Sequence, residues 1–129
     1  MFDVSDFANP KEMFTEIIGA RGSYSELINN HKSLLYSKER NIFAFPATVC
    51  EKEYSNEWSG FLNYSIDMEK GFTLEMKVSH YSGEYGYNYE MNISRGVYAG
   101  DNLYTFSANK IMAHSLSTKQ LIGEINLDQ

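Results

Sequence analysis

Leu35-Tyr36-Ser37-Lys38-Glu39-Arg40-Asn41-Ile42-Phe43-Ala44-Phe45 decides how this chain is read. A short apolar segment, a polar stretch and a second segment whose side chains alternate between faces together predict a β-hairpin. A matching stretch follows at Val97-Tyr98-Ala99-Gly100-Asp101-Asn102-Leu103-Tyr104-Thr105-Phe106, with Tyr36 and Tyr98 standing 62 residues apart. Gly100-Asp101-Asn102 supplies residues that tolerate a tight turn, whereas Lys38-Glu39-Arg40-Asn41 predicts a longer polar one.

Working outward, a second unit recurs. Phe2-Asp3-Val4-Ser5-Asp6, Tyr64-Ser65-Ile66-Asp67 and His114-Ser115-Leu116-Ser117 are alternating segments that end in turn residues. Each precedes another apolar segment: Met13 to Ile18, Phe72 to Val78 and Leu121 to Leu127. The spacing is 62 residues from Val4 to Ile66 and 50 from Ile66 to Leu116, irregular but near the length of a four-stranded unit. The pattern predicts an all-β fold of antiparallel four-stranded meander sheets, about two β-propeller blades forming a partial propeller. A single domain covers 1–129, with blade-like units at roughly 11–68 and 71–118 and edge strands at 1–6 and 120–127. Asn9 to Gly19 also fits a helix, with Asn9 as N-cap and Pro10 at the first position; the repeat favours a strand there. Glu51 to Ser59 around Trp58, and Tyr81 to Tyr89, are expected as inter-strand loops or long hairpin tips.

Composition agrees with strands. The 129 residues include 10 Tyr, 8 Phe and 1 Trp against 2 Pro, and aromatic side chains fit a pleated, half-buried surface. With 43% hydrophobic and 22% charged residues the chain is too apolar for intrinsic disorder. A formal net charge of −6 argues against a nucleic-acid partner, which needs a basic footprint, and against an anionic membrane surface. No apolar run approaches the roughly 20 residues of a membrane span, and Met1-Phe2-Asp3-Val4-Ser5-Asp6 does not read as an export signal. Cys50 is the one cysteine, so no internal disulfide is expected.

Residue patterns for catalysis are weak. The sequence lacks a Gly-rich phosphate loop, a Gly-x-Ser-x-Gly elbow and a His-Glu-x-x-His zinc helix. Pairing of Cys50 with a histidine is less expected than a buried small thiol. His31, His80 and His114 are too far apart in sequence to form a local ligand pair, so no metal and no cofactor are expected. Glu51, Glu53 and Glu57 read as a solvated face, and Asp3, Asp6 and Asp67 as turn closers that accept backbone N–H groups. The recognition candidates are Tyr81, Tyr85, Tyr87 and Tyr89, amphipathic rings interleaved with Gly83, Gly86 and Asn88. Alternation in Tyr85-Gly86-Tyr87-Asn88-Tyr89 equally fits an edge strand covering a neighbouring sheet. His31, beside Asn30 and Lys32 ahead of a strand, is a second candidate.

Several runs resemble one family. Asp3-Val4-Ser5-Asp6 with Asn9-Pro10-Lys11, His31 to Glu39 with Phe43-Ala44-Phe45-Pro46, and Arg95 to Thr105 look like the C-terminal part of a prokaryotic secreted or surface-anchored β-propeller family distantly related to WD-type repeats. Ile122 to Leu127 looks like its last strand. The resemblance covers nearly the whole chain, while full members are much longer, with further N-terminal blades and an export signal. It implies a noncatalytic extracellular or cell-envelope interaction module for a protein, peptide or glycan. Two rival readings are a small glycan or peptide hydrolase using a carboxylate pair, and purely structural blades of a larger ring. Two blades alone would expose sheet faces, so self-association or missing blades are expected.

Overall fold

The protein is described by a computed structural model over residues 1–81 and 89–127. It is all-β, as expected. Strands β1 (Phe2–Asp3) and β2 (Lys11–Glu12) form a small antiparallel ribbon in which Phe2 faces Glu12 and Asp3 faces Lys11. The intervening turn is closed by carboxylates: Asp3 Oδ1 accepts the Ser5 N–H, and Asp6 accepts from the Ala8 N–H and the Asn9 side chain. The strand expected over Met13 to Ile18 is shorter and lies earlier, at Lys11–Glu12; the alternative helix does not form. Met1 explains this, because its carbonyl accepts the N–H groups of Met13 and Phe14 and its ammonium donates to the Phe14 carbonyl at 2.7 Å. Those tertiary bonds use groups a helix would need, and an isolated helix this short is marginal without packing in its favour.

The first four-stranded sheet is a sequential meander of β3 (Leu35–Ser37), β4 (Ile42–Lys52), β5 (Ser55–Asp67) and β6 (Gly71–Val78). Its hairpin at Lys38 to Asn41 was legible from the opening stretch. Of the two expectations for Glu51 to Ser59 the long hairpin tip is the one that forms: Cys50 faces Glu57, Val49 faces Trp58 and Thr48 faces Ser59, so the segment is paired strand, not loop, with a two-residue turn at Glu53 and Tyr54. The charged residues there lie on strands that extend beyond the buried core, which is why polarity imitated a loop. At the other end of β5, Asp67 Oδ1 accepts the N–H groups of Glu69 and Lys70 and closes the turn into β6.

The second sheet repeats the pattern with β7 (Arg95–Ala99), β8 (Asn102–Phe106), β9 (Lys110–Ser115) and β10 (Leu121–Asn126). Ala99 faces Asn102 across a two-residue turn in which Gly100 has φ of +59°, as a type II′ hairpin requires at its first central position. The two sheets stack with β7 against β3 and β4. Between them lies the main core of Ile42, Ala44, Phe61, Met76, Val78, Ile93 and Leu103. Burying side chains as large as Phe61 and Leu103 contributes roughly 1.5–3 kcal/mol each. Gly96 is required at this seam, because a Cβ there would overlap the Phe61 ring.

The opposite face of the first sheet carries a second core of Phe45, Ala47, Leu62 and Tyr64, packed with Ile18, Leu27, Phe43, Trp58 and Phe72. β4 is therefore apolar on both sides, and Ile42-Phe43-Ala44-Phe45 alternates between two buried faces. Between this face and the N-terminal segment is a cavity of about 260 Å³ lined by Ile18, Phe43, Phe45, Tyr64 and Phe72 with Met1, Thr15 and Glu16.

Candidate functional site

The segment linking the two sheets carries the tyrosine candidates, and its ends are firmly held. The Tyr81 hydroxyl donates to Asn92 Oδ1 at 2.7 Å, and the same oxygen accepts from Ser59 Oγ at 3.0 Å. Ser59 in turn accepts from Thr48 Oγ1, and the Tyr81 N–H donates to Ser79 Oγ, which donates to the Ser59 carbonyl. Tyr81 is thus half-buried and part of a side-chain chain that fastens the link to β4 and β5. Tyr89 opens a 3-10 turn at Tyr89–Met91 and is 74% exposed. That turn is tied to the second sheet's β8–β9 connection through the Ala108 N–H, which donates to the Glu90 carbonyl at 3.0 Å. Tyr85 and Tyr87, like Gly83, Gly86 and Asn88, lie outside the described residues.

His31 has different surroundings. It is exposed at the start of a 3-10 turn, His31–Ser33, whose Asn30 N-cap accepts the Lys32 N–H and whose His31 carbonyl accepts the Leu34 N–H. Tyr81, in contrast, is bonded to Ser79 and Asn92.

His80 proved more informative than its spacing indicated. It is 1% exposed, with Nδ1 at 2.8 Å from Ser107 Oγ and Nε2 at 2.9 Å from Thr105 Oγ1, so it bridges from the end of β6 into the second sheet. Burial pushes its pKa down to about 4, and the nearby charges of Lys110 and His114 push the same way. The ring is therefore neutral at pH 7 and acts as a buried hydrogen-bonding brace. His114 is also pushed down by burial. Cys50 is fully buried, and its N–H donates to Ser23 Oγ. Among the described residues, no cluster of three or more His, Cys, Asp or Glu side chains could hold a metal ion.

A second cleft lies where the turns of both sheets converge. Arg40, Asn41, Ile42, Asn63, Ser65, Glu75, Asp101, Leu116, Ser117 and Lys119 line a polar cavity of about 300 Å³. Asn63 interrupts the apolar run Phe61-Leu62-Asn63-Tyr64, a signal that sequence reading passed over. Asp101 is held ionised by hydrogen bonds from Ser117 and Ser115. Asp3, Asp6 and Asp67 are likewise lowered by the turn hydrogen bonds they accept. A general acid needs the reverse, a carboxyl raised toward neutrality.

The family model described as a beta propeller domain matches residues 1–119. No curated protein and no solved structure matches the chain.

Proposed function

The chain belongs to the beta propeller domain family, and from that membership we propose that it is a noncatalytic interaction module that binds a peptide or glycan through the tyrosine-rich link between its sheets. The observation that carries this reading is the anchoring of that link at both ends, by Tyr81 to Asn92 and by the Ala108 N–H to Glu90. Tyr and Trp rings give large contact area at low conformational-entropy cost, because each has only two χ angles to fix.

The test is selection from a random dodecapeptide display library, alongside an array of purified glycans. Binders should lose at least tenfold in affinity when Tyr85→Ala and Tyr87→Ala are introduced together, with the unfolding midpoint unchanged and no chemical change in the bound molecule. Turnover of the ligand, or binding indifferent to both substitutions, would refute the reading. We place the module in an extracellular or cell-envelope setting, on the strength of the family resemblance alone. Further sheets of the same kind cover the outer face of its second sheet in this proposal.

A further inference from the structure

We propose that the polar cleft between the turns is a binding site for a small neutral polyhydroxylated molecule, a single sugar ring. The proposal does not depend on the tyrosine link, whose Tyr81 anchor lies toward the opposite end of β5: Ser59, near the start of β5, meets Tyr81's network, whereas Ser65, near its end, lines this cleft.

The cleft's side chains divide into those with committed partners and one without. Asp101 Oδ1 accepts from Ser117 Oγ at 2.7 Å, and Oδ2 accepts from Ser115 Oγ at 2.9 Å. Glu75 accepts from Ser65 Oγ at 2.7 Å and pairs with Lys119 Nζ at 3.5 Å. Asn41 Oδ1 accepts the Ile66 N–H at 2.8 Å, and the Arg40 guanidinium lies over the Tyr98 ring. Asn63 is the exception. It is 4% exposed, lines the cavity, and its Oδ1 is buried with no hydrogen-bond partner among the described residues. A buried acceptor left unpaired keeps its desolvation penalty with nothing to offset it, so it marks a place where a donor is missing.

The chemistry of that donor follows from the lining. Arg40 and Lys119 balance Glu75 and Asp101, so the site presents no net charge to attract an ion. Hydroxyl groups satisfy both sides of such a surface, donating to Asn63 and to carboxylate oxygens while accepting from Arg40 and Lys119. Ile42 and Leu116 supply an aliphatic wall for the C–H face of a ring. A cavity of about 300 Å³ lies at the small end of ligand sites.

The experiment is heteronuclear NMR titration of the whole chain with methyl β-glucoside, methyl β-galactoside and the methyl glycoside of N-acetylglucosamine, with inorganic phosphate and spermidine as charged probes. At least one glycoside should produce saturable shifts in the Asn63 side-chain amide and in the backbone of Asp101 and Ser117. Asn63→Leu should weaken it at least tenfold, and Ser117→Ala at the rim, should Asn63→Leu not fold, should weaken it severalfold. Tyr85→Ala should leave it unchanged, which separates this site from the tyrosine link. Saturation by a charged probe alone, shifts that persist undiminished in the variants, or a cleft that holds solvent only would overturn the proposal.

Discussion

Gly96 and His80 are the two residues on which the seam between the sheets most directly rests. Adding a methyl group at Gly96 would force it into the Phe61 ring, whose own exposure is nil. Gly96→Ala should destabilise the protein by about 1–3 kcal/mol, the usual range for overpacking. Chemical denaturation checks this, and Phe61→Leu should cost less in the Gly96→Ala background than in the native one, since it vacates the contested volume. Additive costs would show that the strain lies elsewhere. His80 makes a different demand. Its folded pKa of about 4 lies below the ordinary 6.5, so between these values the unfolded chain takes up a proton that the folded chain refuses. Stability is therefore full above about pH 6.5 and falls as the pH drops toward 4, by up to about 3 kcal/mol. Urea midpoints measured across that window should decline steadily, and His80→Gln should flatten most of the decline, with His114 accounting for a smaller remainder. A profile unaltered by His80→Gln would assign the pH dependence to other groups.

At the level of strands, the two sheets are unequal. β4 and β5 are central, paired on both sides, and buried over much of their length, whereas β10 pairs with β9 alone and all six of its residues are exposed. Local opening is least costly where few apolar groups are buried. Amide hydrogens of β10 should therefore exchange on the order of a hundredfold faster than those of β4 and β5 near Ala44 and Leu62; equal protection would mean that the second sheet opens only with the first. The same inequality explains what could be read beforehand. Leu35 to Phe45 and Val97 to Phe106 were legible because alternation and turn chemistry lie next to one another in sequence. Glu51 to Ser59 was legible only as a choice between a loop and a long hairpin tip, because its pairing partner, not its own polarity, makes it strand. Met13 to Ile18 lost its expected strand to hydrogen bonds from Met1, a contact no local pattern encodes. Tyr81 was visible as an aromatic candidate, but its hydroxyl is used by Asn92; Asn63 drew no notice, although a lone amide in an apolar run was there to see.

Across the whole molecule, each sheet packs one face on the other; the first sheet's second face is covered by the N-terminal segment, whereas the second sheet's faces outward. The first sheet's covered face is aromatic, with Phe43, Phe45, Tyr64 and Phe72 beside the cavity under the N-terminal segment. On the second sheet, register puts Val97 with Tyr104, Tyr104 with Ala113, Phe106 with Ile111, and Ile111 with Ile125 on a common face opposite Leu103 and Thr105. Ile125 there is 63% exposed. A contiguous apolar patch on a protein surface marks an interaction site or a liability to aggregate. A second copy docking onto this surface would bury Tyr104, Phe106, Ile111 and Ile125 as the first sheet buries Leu103 on the other face. Sedimentation at micromolar concentration should accordingly show association that rises with concentration, and the associated form should bind less apolar dye than the diluted one. Ile125→Lys combined with Tyr104→Glu places charge in the contact and should return the chain to monomer while leaving its circular dichroism intact. A native chain that stays monomeric and binds no dye would mean that this face needs no neighbour.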